Sequence, residues 1–330
     1  MNVWKATLGV SFLLGAVGCG HQVTYAIDIP VDLEEEARGI PWELLSGKIV
    51  YARWETPAPG TSWERGFGRG RMFLIDVAAR QVRLLRDEVV SGKPPHDTIS
   101  GYVRDLAIRR DGTSITFALM DPETDHWELR DLSFADGTER VLYPDDHAHH
   151  LYPSWSKDGH LAYVVHGVSW GMFVDGVFLL SGPDNSRLAW TASGAVIVSL
   201  ENVHSQGNLY LADPATHAIT PVVVSSDPDW DAEIFSAPAL SLDETKLAYV
   251  RWGRGLVENV WVADANGTHP VQLSFDYGQH PAWSADGKSV LFAHKSASPP
   301  YGSNLYLADV ATGALTQVTQ HEAQYVDWAP

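Results

Sequence analysis

The sequence contains a single cysteine, Cys19, in 330 residues. A lone thiol cannot form a disulfide within the chain, so this kind of cross-link is excluded. Metal sites built from several thiolates, such as many structural zinc sites, are excluded for the same reason. The chain must therefore be stabilised by a packed core, and its hydrophobic content of 45% is ample for one.

Positive charge is also scarce in this chain. The 23 Lys and Arg residues stand against 41 Asp and Glu residues, which gives a formal net charge of −18 at pH 7. Because such a surplus repels phosphates, we expect no nucleic acid partner. The acidic balance favours solubility or a cationic partner instead.

The N-terminal apolar run is too short to be a comfortable membrane span, since it covers only residues 6–17. It follows Lys5 and precedes small residues, which is the pattern of a secretory signal peptide. The order Ala16-Val17-Gly18-Cys19 resembles a bacterial lipobox. The resemblance implies that residues 1–19 are a signal peptide and that Cys19 is lipidated. The alternative is a plain signal peptide with an incidental cysteine.

The lipobox resemblance also implies a location in the cell envelope. Gly20 replaces the aspartate that would retain a lipoprotein on the inner membrane, so the outer membrane is expected. The protein would contact the membrane through its lipid anchor only, and would face the periplasm or be exported to the cell surface. Residues 20–45 are predicted to be a tether, in which 32–38 makes a helical turn with little to bury it.

From residue 46 onward the chain is an internal repeat. Its clearest copy, 280–319, contains four short β-type runs separated by turn residues such as Asp286-Gly287. The opening phrase Pro281-Ala282-Trp283-Ser284-Ala285-Asp286-Gly287 is matched by Pro153-Ser154-Trp155-Ser156-Lys157-Asp158-Gly159. Four antiparallel strands in about 40 residues is the period of one propeller blade.

These phrases resemble the repeats of the TolB-type, WD-like β-propeller family. The resemblance implies an all-β fold, and the repeat anchors count six four-stranded blades over residues 46–330. These anchors are Ile108, Trp155, Trp190, Leu240, Trp283 and Trp328. A seventh blade would have to lie in 55–102, where the strand signals are already used. Tyr325–Pro330 is a first-strand phrase with nothing after it, so we expect it to complete blade one and close the ring.

The turn chemistry distinguishes the two faces of the predicted ring. Tight turns such as Asp158-Gly159 and Asp286-Gly287 fall on one face, while long and varied loops fall on the other. Because long loops on a rigid scaffold commonly carry binding sites, we expect the partner on the long-loop face. The aromatic residues expected to contact it are Trp63, Phe67, Trp252 and Tyr301.

Histidines converge on the same face from several blades. We expect His149, His150, His280 and His321 to rim the channel mouth, where imidazoles could coordinate a divalent cation. Oligogalacturonate lyases are similar in placing a metal on histidines near a propeller channel, although no residue-by-residue match to their motif is found. The alternative is a polar, solvated rim without a metal. No other cofactor is expected.

A serine-hydrolase pattern, Gly-x-Ser-x-Gly, is matched by 167–171. In hydrolases this pattern needs a strand, a sharp turn and then a helix. Here it links two strands of the shortest predicted blade, so we interpret it as structural.

Two functions are therefore compared. The first is a monomeric, lipid-anchored binding propeller, similar to TolB-type proteins, that recognises a protein or a cell-wall component. The second is a metal-assisted saccharide lyase or hydrolase with its site at the channel mouth. Binding is favoured because it needs only shape and loops, and no catalytic residue is assigned.

Overall fold

The computed structural model describes residues 31–55, 67–92, 99–100, 103–121, 126–143, 148–167, 170–182, 187–201, 207–225, 233–252, 257–275, 277–295 and 303–329. These residues form one short helix, α1 (Leu33–Ala37), one 3-10 turn (Trp42–Leu44) and 25 β-strands. None of the described helices is long and apolar enough to cross a membrane.

The strands form six antiparallel sheets, and each sheet is one blade. Blade one contains β25 (Tyr325–Ala329), β1 (Lys48–Glu55), β2 (Phe67–Asp76), β3 (Gln81–Gly92) and β4 (Ile99–Ser100). Blade two contains β5 (Val103–Ile108), β6 (Ser114–Met120), β7 (Trp127–Ser133) and β8 (Glu139–Val141). Blade three contains β9 (His149–Trp155), β10 (Leu161–His166), β11 (Gly171–Val174) and β12 (Val177–Ser181).

The remaining three blades follow in chain order. Blade four contains β13 (Ala189–Trp190), β14 (Val196–Glu201), β15 (Gly207–Ala212) and β16 (Ile219–Val223). Blade five contains β17 (Ile234–Leu240), β18 (Lys246–Trp252), β19 (Glu258–Asp264) and β20 (Val271–Gln272). Blade six contains β21 (Gly278–Trp283), β22 (Ser289–Lys295), β23 (Ser303–Asp309) and β24 (Leu315–Gln317). The predicted six-bladed β-propeller is confirmed.

Ring closure by the C-terminal strand is also confirmed. β25 pairs antiparallel with β1, and Trp328 lies opposite Ile49. Both side chains are buried, at 2% and 0% exposure, in a cluster that also contains residues of blade six. The Trp328 indole N–H donates to the Ser46 carbonyl at 2.6 Å, so closure satisfies its polar group as well.

The outer part of blade one is longer than predicted. From the sequence, Gln81-Val82-Arg83-Leu84-Leu85 is predicted to be the fourth strand of blade one, whereas the observed strand β3 continues to Gly92 and pairs with the additional short strand β4. Sequence alternation alone does not reveal this extension, because β3 carries the charged residues Arg83, Arg86, Asp87 and Glu88.

Tryptophan anchors form hydrogen bonds between neighbouring blades. The Trp155 indole donates to Thr116 Oγ1 of blade two at 2.9 Å, and the Trp190 indole donates to the Ser154 carbonyl of blade three at 2.8 Å. Trp283 makes the corresponding bond to the Ala239 carbonyl of blade five at 2.8 Å. Each large ring thus fills the space between two sheets while its N–H is satisfied by the preceding blade.

The segment before blade one packs on the ring. Asp32 caps α1 by accepting from the amides of Glu34 and Glu35. On the helix, Glu36 is buried and accepts from Tyr51 and Arg53 of β1, at 3.0 and 2.5 Å. The expectation that this turn has little to bury it is therefore wrong. Complementary hydrogen-bonding groups on β1, which no local pattern indicates, hold it in place.

Candidate functional site

One repeat position lies toward the centre of the ring, and five of its six residues line a cavity there. This position lies three residues before each blade's anchor. It is occupied by Asp105, Tyr152, Arg187, Ala237, His280 and Tyr325. The repeat thus keeps its apolar anchors nearly constant, while the channel position differs in every blade except for the two tyrosines.

A bulge in the innermost strands directs this position toward the channel. The pairing register shifts at this point in β5, β9, β17 and β21. The bulged residues Asp105, Tyr152, Ala237 and His280 have φ between +47° and +55°. Such left-handed backbone is unfavourable for residues other than glycine, so the surrounding sheet must impose it.

A cavity of about 230 Å³ occupies the end of the channel where the innermost strands begin. Every blade contributes to its lining. The lining residues are Arg104, Tyr152, Arg187, Ser236, Ala237, Val250, Trp252, Glu258, Gln279, His280 and Tyr325. Val250, Trp252 and Glu258 belong to the middle strands of blade five, at the ends adjoining the β18–β19 loop, so the cavity lies on the face predicted to bind.

Arg104 is the most constrained cation of this cavity. Its Nε donates to Asp105 at 2.8 Å, and its Nη2 donates to the Tyr152 hydroxyl at 2.8 Å. The guanidinium also lies over the Trp127 and Tyr152 rings. Burial alone would lower the pKa of Arg104, but the Asp105 carboxylate together with Tyr152 and Tyr325 outweighs it and the pKa is raised. Arg104 is therefore a fixed positive charge.

Arg187 reaches the cavity from blade four and contacts two other blades. It donates to the Leu106 carbonyl of blade two at 2.7 Å and lies 3.6 Å from the Asp327 carboxylate of blade one. Asp327 in turn accepts from the Ile108 amide at 2.7 Å. The side chain is only 12% exposed, so these contacts fix its position at the channel wall.

His280 faces the two arginines. Burial, together with the positive charges of Arg187 and Arg104, lowers the pKa of His280 well below its usual value. Its ring lies 4.6 Å from the Tyr325 ring, measured between centroids. Its Nδ1 is buried and has no hydrogen-bond partner among the described residues. The imidazole is thus neutral at physiological pH.

The other predicted metal ligands lie in different surroundings. His150 is buried in blade three against the stacked rings of Tyr143 and Tyr163, and His149 accepts from the Trp127 amide at 3.2 Å. His321 lies 3.9 Å from Glu35 of α1. Within the described ranges, no three His, Cys, Asp or Glu side chains are grouped closely enough to hold a metal ion. The metal site stays a prediction.

Of the predicted contact aromatics, Trp252 lines the cavity. Phe67 begins β2, and its side chain is outside what the structure describes. Trp63, Tyr301 and the predicted lipidation site Cys19 also lie outside the described residues.

The serine-hydrolase pattern at 167–171 joins two strands, because β10 ends at His166 and β11 begins at Gly171. A Cβ at Gly171 would lie 2.5 Å from the Phe178 ring, so close packing against this ring explains the glycine.

Sequence reasoning missed Arg104, Tyr152, Arg187 and Tyr325. The signal that could have found them is the repeat itself, because aligning the copies on their anchors places Tyr152, Arg187 and Tyr325 at one position, with Arg104 next to it.

Aspartates at the opposite, tight-turn face accept hydrogen bonds mainly from within their own turns. Hydrogen bonds from hydroxyl and amide groups of their own turns, and for Asp264 also from Lys246 and His269, lower their pKa values. The group comprises Asp111, Asp136, Asp213, Asp243, Asp264, Asp286 and Asp309. These aspartates cap turns, and this structural role explains why they recur in the repeat.

Comparisons with solved structures support the fold alone. TolB from Acinetobacter baumannii matches 89% of this chain and 69% of its own, with a TM-score of 0.67 and 19% identity. A putative TolB from Agrobacterium tumefaciens matches 86% of this chain and 99% of its own, with a TM-score of 0.59 and 12% identity. The β-propeller fold of this chain is therefore similar to that of the two TolB structures.

The same architecture also occurs in an enzyme. Hydrazine synthase of Kuenenia stuttgartiensis matches 85% of this chain and 46% of its own, with a TM-score of 0.60 and 11% identity. No protein-family profile and no curated protein matches the chain. Because a shared propeller does not determine activity, function has to be inferred from the channel mouth.

Proposed function

We propose that this chain is a binding propeller whose partner docks over the channel mouth. The observation that carries the proposal is the cavity, because all six blades contribute side chains to it. A site built in this way exists only when the ring is closed. It combines aromatic, charged and amide groups in a small concave space, as binding pockets generally do.

The polar groups of the mouth are held in place before any partner arrives. Arg104 joins blades two and three through Tyr152, and Arg187 joins blade four to blades two and one. Such preorganisation favours binding, because little side-chain freedom is lost when a partner docks.

We further propose that the partner is a protein or a cell-wall component and that this chain acts in the cell envelope as a lipid-anchored monomer. The similarity to TolB in fold and the lipobox-like sequence before Cys19 support this location. The metal-assisted saccharide lyase or hydrolase stays a prediction. Measuring the metal content of the purified domain tests it.

Site-specific photo-crosslinking tests the docking face. A photoreactive phenylalanine is introduced at Gln279, which is exposed at the cavity rim, and at Lys288 as the matched control. Lys288 is equally part of blade six but lies in the tight turn between β21 and β22. Both variants are expressed in the native cells and irradiated.

We expect a discrete crosslinked product from the Gln279 variant and none from the Lys288 variant. The product should disappear when Trp252 is also replaced by Ala, because this ring forms the blade-five wall of the cavity. A product formed only from Lys288 would show that the partner binds the tight-turn face and would refute the proposal.

A further inference from the structure

The channel mouth contains two arginines, although cations are scarce in this chain. Only 23 of the 330 residues are Lys or Arg, yet two arginines, Arg104 and Arg187, line a cavity of about 230 Å³. Exposed charges more than about 8 Å away are largely screened at physiological ionic strength. The remote carboxylates of the chain therefore have little influence on the cavity, and the groups close to the two arginines decide what it can bind.

The carboxylates that pair with these arginines do not line the cavity. Asp105 contacts Arg104, and Asp327 lies beside Arg187, but neither is among the lining residues. The two aspartates therefore orient the guanidinium groups from the side that faces away from the cavity. The described hydrogen bonds of Arg104 use its Nε and Nη2, and a carboxylate matches the planar geometry of a guanidinium.

The other groups on this side of the cavity are mostly hydrogen-bond donors or neutral. Gln279 supplies an amide, Tyr325 supplies a hydroxyl, and His280 is a neutral imidazole that repels neither charge. The carboxylate in the lining is Glu258, on the blade-five wall, where Trp252 also lies. An anion would thus be placed against blades two, four, six and one, away from Glu258.

We propose that Arg104 and Arg187 bind the carboxylate group of a ligand at the channel mouth, with Trp252 contacting the ligand's apolar part. This inference deepens the proposed binding function and rests on it. Because an aspartate accompanies each guanidinium, we expect recognition of a single carboxylate through directed hydrogen bonds rather than through net positive charge. Such a group could belong to the end of a peptide chain or to a small organic acid.

Two matched pairs of probes distinguish these sources. N-acetylalanine and its amide represent a chain terminus, whereas propionate and propionamide represent a small organic acid. Within each pair the two molecules have nearly the same shape and differ in charge. Binding to the purified full-length protein is measured by isothermal titration calorimetry at probe concentrations up to about 10 mM, a range that detects weak sites.

Variants then locate the site. Arg187→Gln should weaken carboxylate binding at least about tenfold, since it removes a charge-assisted hydrogen bond. Arg140→Gln is the control, because Arg140 pairs with Asp131 in blade two and is not among the lining residues. Glu258→Gln should tighten binding severalfold, because it removes the repelling carboxylate. Arg187→Lys retains the charge and provides a second test if Arg187→Gln does not fold.

The expected result is binding of at least one carboxylate, no binding of its amide, and loss of binding in Arg187→Gln but not in Arg140→Gln. Equal binding of acid and amide, equal loss in both arginine variants, or no binding of either acid would overturn the carboxylate site. A Gln279 crosslink that persists in any of these cases would leave the docking function intact, so the two failures are distinguishable.

Discussion

The two faces of the ring satisfy their charged groups in opposite ways. At the tight-turn face, each aspartate accepts hydrogen bonds largely from its own turn, as Asp286 does from Lys288 N and Ser284 Oγ, and the carboxylates are largely exposed. At the channel mouth, Arg104 and Arg187 are paired across blades and are largely buried. The difference shows that one face is assembled locally and the other only by the complete ring.

The largest expected effect comes from opening the ring. Deleting residues 325–330 removes β25 and the buried Trp328, and exposes the edge of β1. We expect a loss of at least about 3–5 kcal/mol in unfolding free energy, the usual cost of truncating one large core aromatic residue. Thermal unfolding checks this, and an unchanged melting temperature would contradict closure by β25.

A smaller loss is expected when a charge pair of the mouth is broken. Arg104→Gln leaves the Asp105 carboxylate, which is 1% exposed, without its cationic partner. Burial already raises the pKa of Asp105 against the opposing effect of Arg104. We expect a cost of about 3 kcal/mol in denaturant unfolding, as for other buried ion pairs that lose one member.

The matched change at the tight-turn face is Lys246→Gln. It breaks the exposed pair with Asp264, and little change in stability is expected because such pairs are well solvated. Equal losses in the two variants would show that the faces do not differ in the way described here.

Much of the fold is predictable because the repeat shows four strands per copy, their turns and the orphan strand at the C-terminus. The channel lining is less predictable. A simple alternation of two residues points His150 toward the channel, but the bulge at Tyr152 reverses the alternation. His150 therefore packs against the stacked rings of Tyr143 and Tyr163. The pairing of Arg187 with Leu106 and Asp327 joins distant parts of the chain, which no local pattern shows.

The pH dependence of stability should also differ between the faces. The folded pKa of His280 lies well below its ordinary value of 6.5, so the unfolded chain binds a proton there more readily. Its contribution to stability is complete above about pH 6.5 and is lost as the pH falls toward the folded pKa. His280→Gln should reduce the loss of melting temperature between pH 7 and 5.

The control for this measurement is His269→Gln, because the His269 side chain is 85% exposed at the tight-turn face. That variant should not reduce the loss of melting temperature between pH 7 and 5, because its imidazole is not buried. A His280→Gln curve that parallels the wild-type curve would show that this imidazole is not excluded from protonation in the fold.

The smallest effect is expected from a single turn aspartate. Asp286→Ala removes hydrogen bonds from Lys288 N and Ser284 Oγ, but water can replace them because the carboxylate is 58% exposed. We expect a loss below about 1 kcal/mol. A loss as large as that of Arg104→Gln would show that the tight turns contribute to the ring as a whole.

Hydrogen exchange in the partner complex tests the central claim, that the channel mouth is the binding surface, most directly. The partner identified by crosslinking is added to the purified protein, and amide exchange is compared with the free state by mass spectrometry. We expect slower exchange at the starts of the innermost strands, in 103–106, 234–237 and 278–281. The tight turns at 284–289 and 241–246 should show no change. Protection confined to the tight turns would contradict the claim.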